Sequence, residues 1–95
     1  MTVAVLTVRL RLPSRTLKEK RTIVKSVVER LRNRFNASVA EVGDLDAVGV
    51  TTIAAAVISN ESRHADEQAQ EIAAVIEGWR LDAEVLDVSI ELIDV

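Results

Sequence analysis

The sequence predicts an α+β fold: a four-stranded antiparallel sheet with two helices on one face, in the order βαββαβ. Three observations predict it. Apolar residues alternate with a period of two near both ends of the chain. Two interior segments carry apolar residues at steps of three and four. A turn rich in Gly and Asp separates two β-branched runs in the middle. The period of two marks a strand with one buried face, and the longer period marks a helix with one buried stripe.

Thr2 to Leu12 is the first strand. Ala4, Leu6, Val8, Leu10 and Leu12 form its inward row; Val3, Val5, Thr7, Arg9 and Arg11 form the outward one. Pro13 and Ser14 end it. Thr16 opens the first helix, because Thr16 and Glu19 have capping-box spacing. Leu17, Val24, Val27, Val28, Leu31 and Phe35 make its apolar stripe, which runs out near Asn36. Ser38 to Val42 is a short strand. Gly43, Asp44, Asp46 and Gly49 form a turn, and Thr51 to Ile58 is the next strand. Asn60 or Ser62 can cap a second helix. Its stripe is Ala65, Ala69, Ile72, Ala73 and Ile76, with Gly78 as a stop signal. Glu84 to Val95 is the last strand, with Leu86, Val88, Ile90 and Leu92 against Val85, Asp87, Ser89, Glu91 and Ile93. Right-handed crossovers turn this order into a ferredoxin-like sandwich with strand order 4-1-3-2. Ninety-five residues, 48% of them hydrophobic, are expected to form one domain with a thin core.

In this fold the first and last strands are antiparallel neighbours. Arg9 and Arg11 are therefore expected beside Asp87 and Glu91 on the uncovered face. Val3, Val5, Val85 and Ile93 would form an apolar patch on the same face, open to a second copy.

Charge is unevenly placed. Residues 1–36 carry a net +8 and residues 37–95 a net −11, within a chain of net charge −3. Seven of the positive charges fall in TLKEKRTIVKSVVERLRNRF, Thr16 to Phe35. Lys18, Arg21, Lys25 and Arg32 share one flank of the helix, while Arg30 and Arg34 share the other. Lys20 points closer to the apolar stripe. Cations near a helix C-terminus favour the helix, which accounts for Arg30, Arg32 and Arg34. Lys18, Lys20 and Arg21 sit where the helix dipole disfavours them, so helix stability does not account for them. Lys18, Lys20, Arg21, Lys25 and Arg32 are the candidate nucleic-acid-binding residues, with the helix N-terminus assisting. The bland alternative is a solvated face whose long basic stems cover the edge of the stripe.

Other chemistry finds little footing. The chain has no cysteine, which excludes thiol nucleophiles, disulfides and cysteine zinc sites. His64 is the single histidine, and no partner constellation accompanies it. Asp44 and Asp46 fit turn chemistry better than Mg²⁺ ligation. No metal, cofactor or catalytic residue is expected. Phe35 and Trp79 are the only aromatics, and neither is on a strand, so bases cannot stack on the sheet as in an RNA-recognition motif. Trp79 is read as packing over an edge of the core. No stretch approaches the ~20 apolar residues of a membrane span. The opening MTVAVLTVRLRLP lacks the basic start and continuous apolar core of a secretion signal, so a cytoplasmic location is expected.

The run Leu12 to Asp46 closely resembles the small bacterial YlxP-like proteins, a domain family of unknown function. The matching residues are TLKEKR at Thr16–Arg21, RNRF at Arg32–Phe35 and VAEVGD at Val39–Asp44. Val57 to Asn60, His64, Ala65 and the alternating last strand extend the likeness. The resemblance implies a ferredoxin-like fold and no established enzymatic activity. Genes of the family commonly lie among those for transcription elongation, translation initiation and ribosome maturation, which makes rRNA or a ribosomal particle the favoured anion. Many relatives carry Trp-Gln-Arg where Val48, Gly49 and Val50 stand here, so contacts of that loop are not carried over. Two readings follow: a non-catalytic RNA- or ribosome-associated accessory protein acting through the first helix, or a homodimeric scaffold using the open sheet face.

Overall fold

The structure, a computed structural model, describes residues 1–79 and 82–95. Its elements are β1 (Thr2–Arg11), α1 (Leu17–Arg34), β2 (Ser38–Gly43), β3 (Val50–Ser59), α2 (Ser62–Gly78) and β4 (Glu84–Asp94). The strands form one antiparallel sheet in the order β2-β3-β1-β4, the ferredoxin-like arrangement the sequence predicts. The long central strands pair along their full length, from Thr2 opposite Ser59 to Arg11 opposite Val50.

The core lies between the sheet and the helices. Ala4, Leu6, Val8 and Leu10 of β1 face it, with Ile53, Ala55 and Val57 of β3 beside them. From above, α1 adds Val24, Val27, Val28 and Leu31, and α2 adds Ala65, Ala69, Ile72, Ala73 and Ile76. A fully buried Leu such as Leu31 contributes about 1.5–3 kcal/mol relative to exposure. The alanines of α2 keep that helix close to β1 and β3. Trp79 and Phe35 are half-buried and pack at the core margin.

The start of α1 is fixed locally. The Glu19 amide donates to Thr16 Oγ1 at 3.1 Å, and the Glu19 carboxylate accepts from the Arg15 amide at 2.8 Å. The expected reciprocal cap is therefore present with its return bond one residue earlier. Replacing Thr16 by Ala should cost about 1 kcal/mol, read as a shift in the urea midpoint at unchanged slope. The second helix differs from expectation. Its cap residue is Glu61, whose side chain makes no capping bond, and the Ser62 hydroxyl instead shares a 2.7 Å hydrogen bond with that of Thr2. Gly78 ends α2 without a left-handed turn.

Two side-chain placements on the sheet differ from the alternation read along β4. The β1–β4 register shifts between Arg9 and Leu10, so Leu10 pairs with Val85 while Arg9 pairs with Asp87. This bulge turns Val85 to the covered side, where it packs on the core instead of joining the open patch. The Arg9 guanidinium reaches the Asp44 carboxylate at 3.1 Å, and Arg11 reaches Glu84 at 2.9 Å. Asp87 and Glu91 are thus not the partners of these arginines. Glu91 lies opposite Val5, out of reach of both.

Candidate nucleic-acid interface

The sequence groups five cations on α1. The structure separates them. Lys20 stands among Val24, Val27, Val28 and Leu31 on the buried face of the helix and is only 1% exposed. Its ammonium lies 3.1 Å from Glu41 Oε2 and donates to the backbone carbonyl of Asp44, with the Leu45 carbonyl at 3.4 Å. Thr51, fully buried, donates its hydroxyl to the same Glu41 oxygen at 2.6 Å. Lys20 is therefore removed from the phosphate-binding set: its charge is neutralised and shielded from solvent. Its role is to pin the β2–β3 turn to the start of α1.

The turn is anchored from the other side as well. Asp44 adopts a left-handed conformation with φ 57°, one that Asp tolerates better than most residues. That backbone directs the Asp44 carbonyl to Lys20 while its carboxylate meets Thr52 and Arg9. The Thr52 hydroxyl donates to Oδ2 at 2.6 Å and the Arg9 Nε donates to it at 3.1 Å. The Thr52 hydrogen bond, aided by that of Arg9, holds the Asp44 carboxyl below the usual carboxylate range. The unfolded chain, with an ordinary value of about 3.9, then binds this proton more tightly. The resulting stabilisation is complete above that value and is lost as pH falls through the lower folded value. Asp44→Asn should accordingly be less stable than wild type near neutrality, and the gap should close in acid. Urea midpoints between pH 7 and 2.5 check this, and a gap independent of pH contradicts it.

The turn also docks on the β1–α1 connection. The Leu12 amide donates to the Gly49 carbonyl at 2.8 Å, and the Ser14 hydroxyl donates to the Val48 carbonyl at 2.6 Å. Val48 and Gly49 thus act here through backbone carbonyls that hold the β1–α1 connection, while Val50 opens β3 opposite Arg11.

Lys18, Arg21 and Lys25 are exposed on α1. Among the described residues none of them forms an ion pair. Arg15, which the sequence reading left out, is exposed and unpaired in the same sense; its position in the turn before a basic helix was the available signal. Every other described Lys or Arg is engaged. Arg9, Arg11, Lys20 and Arg63 have carboxylate partners. Arg30 lies over Trp79 and Arg34 over Phe35, each with its guanidinium carbon 5.8 Å from the ring centroid. Arg32 is exposed, but it donates to the Val39 carbonyl at 2.6 Å and so ties α1 to β2. It lies about 21 Å along the helix from Lys18, at 1.5 Å per residue. Glu29 follows Lys25 by one turn and makes no ion pair with it among the described residues.

A groove of about 400 Å³ opens beside these cations, lined by Pro13, Ser14, Lys18, Glu19, Thr22 and Ile23. Ser14 and Glu19 are already committed, to the Val48 carbonyl and the Arg15 amide. Glu19 also occupies the helix start, so anion capture falls to side chains more than to the helix terminus. His64 is exposed at the beginning of α2. Among the described residues no group of three His, Asp or Glu converges as metal ligands would, and no helix is long and apolar enough to cross a membrane.

A family model described as a protein of unknown function, DUF503, matches residues 3–90. The chain belongs to the DUF503 family. It is 31% identical over 64 residues to the uncharacterized protein YlxP of Bacillus subtilis (strain 168), covering 67% of this chain and 70% of that protein. DUF503 membership agrees with the TLKEKR, RNRF and VAEVGD matches. Among solved structures, a proposed antibiotic biosynthesis monooxygenase from Deinococcus radiodurans aligns over 100% of this chain and 92% of its own. The identity is 14% and the TM-score 0.44, a likeness too distant to carry fold or chemistry across.

Proposed function

We propose that this DUF503 protein is a non-catalytic accessory factor that binds RNA, with a ribosomal particle as its setting, through the start of α1. The observation that carries the reading is the sorting of cations. Eleven Lys and Arg residues lie in the described segments, and seven are satisfied by acids, aromatic rings or a carbonyl. Among the described residues Arg15, Lys18, Arg21 and Lys25 alone have no acid, ring or carbonyl partner for their side chains, and they fall within eleven consecutive residues. Three of them project from a rigid helix, which the buried Lys20 fastens to the sheet.

The chemistry of the surface suits backbone recognition. Lysine and arginine heads contact phosphates without reading sequence, and the strands have no aromatic side chain to hold bases. The acidic second half of the chain repels nucleic acid elsewhere, which favours a structured target approached from one side. The ribosomal setting rests on the genomic neighbourhood that the family resemblance implies.

Sedimentation through sucrose gradients with purified ribosomal subunits tests the reading. Wild type should co-migrate with a subunit at about 50 mM salt and dissociate at several hundred millimolar. Protein remaining at the top of the gradient at low salt would contradict the ribosomal setting.

A further inference from the structure

We infer that the open face of the sheet is a self-association surface, which pairs two copies about a two-fold axis running along the strands between β1 and β3. Ile58, Val3 and Ile93 form one row across three strands. Ala56 and Val5 form the next, flanked by Ser38 and Glu91. Ala40, Ala54, Thr7 and Ser89 form the third. Glu91 is the only charged residue in the three rows. Ile58 is 62% exposed and Ile93 39%, high values for large aliphatic side chains.

Area and register favour a second copy as the occupant. Three strands of ten or eleven residues and the six-residue β2, about 4.8 Å apart, cover about 570 Å². Two such faces give about 1,100 Å², above the roughly 1,000 Å² that a specific interface should clear. Under the proposed axis β1 of one copy lies over β3 of the other. Val3 then meets Ile58, Val5 meets Ala56 and Thr7 meets Ala54, larger against smaller in the last two pairs. Glu91 falls over Ser38 of the second copy, and Arg9 over Thr52. A two-fold axis across the strands through the Val5 row would instead set Glu91 against Glu91, which like-charge repulsion disfavours. The helices lie on the far sides, so both basic surfaces stay open. The inference does not depend on the RNA-binding reading.

Sedimentation equilibrium of wild type from 1 to 500 μM tests it, with Val5→Glu and Ala54→Arg as variants and Leu45→Glu as a control on the exposed turn. Wild type should reach twice the 10.4 kDa chain mass within this range. Val5→Glu and Ala54→Arg should each weaken association at least about tenfold, because each buries an unpaired charge at the axis. The control should leave it unchanged. Methyl resonances of wild type followed on dilution guard against variants that misfold: Val5, Ala54 and Ala56 should shift with concentration. A monomer at all concentrations would overturn the inference, as would dimerisation unaffected by both variants or dilution shifts confined to another surface.

Discussion

Replacing Lys20 by Met is expected to destabilise the protein by about 3 kcal/mol, the low end for breaking a buried ion pair. The low end applies because Glu41 keeps 17% of its side-chain exposure and can recover some hydration. The loss arises from what remains behind. Glu41 keeps its charge with only Thr51 as donor, the Leu45 carbonyl loses its donor, and the Asp44 carbonyl is left with the Ala47 amide alone. At about 4–8 °C per kcal/mol for a domain of this size, the melting temperature should fall by about 12–24 °C. Lys20→Met with Glu41→Met should recover much of the loss, since an apolar pair can replace a buried ion pair at little net cost. Recovery should stop short of wild type because the Leu45 carbonyl stays without a donor and the Asp44 carbonyl keeps only the Ala47 amide. Thermal melts of the single and double variants measure both effects. A loss below 1 kcal/mol in Lys20→Met would mean the ammonium is hydrated and the turn is held by other contacts.

Reversing Lys18, Arg21 and Lys25 to Glu should weaken RNA binding by at least about a thousandfold at low salt, or about 4 kcal/mol. Each cation contributes on the order of 1 kcal/mol to a polyanion, and each introduced carboxylate adds repulsion. Stability should move the other way. Lys18 lies in the first turn of α1, where a carboxylate suits the helix dipole by about 0.3–1 kcal/mol, and all three side chains are exposed. Loss of binding with an unchanged or higher melting temperature separates a contact surface from a folding defect. Lys20→Met provides the opposite pattern, since its first effect is on the fold.

The fold was legible because each element carries its own period. Inward β1 and β3 residues alternate without interruption, the α2 stripe is buried as read, and in α1 Val24, Val27, Val28 and Leu31 are buried while Leu17 and Phe35 are half-buried. The β4 register was not legible. No Gly or Pro in β4 marks the shift that turns Val85 inward, and it arises only where β4 meets β1. Arg9 stands opposite Asp87 as read, but the Asp44 turn beyond Gly43, which takes its guanidinium, was not placed beside it; the shift also sets Arg11 opposite Glu84. Lys20 shows how the candidate site was half legible. Its closeness to the stripe was visible, and so was Glu41 two residues after inward Val39 on β2. A lysine on one inward row and a carboxylate on another, 21 residues apart, could have been read as a pair. Keeping Lys20 among the phosphate-binding candidates despite that closeness concealed it.

The central claim is that Lys18, Arg21 and Lys25 together form a phosphate-binding surface. The most direct measurement is the salt dependence of affinity for a structured rRNA fragment, by fluorescence anisotropy, in wild type and in the variant with all three reversed. The expected result is a steep linear fall of log affinity with log salt in wild type. In the variant the slope should be shallower by about 2–3, close to 0.7–0.9 for each lost phosphate contact. Equal slopes and equal affinities would show that these cations meet only solvent.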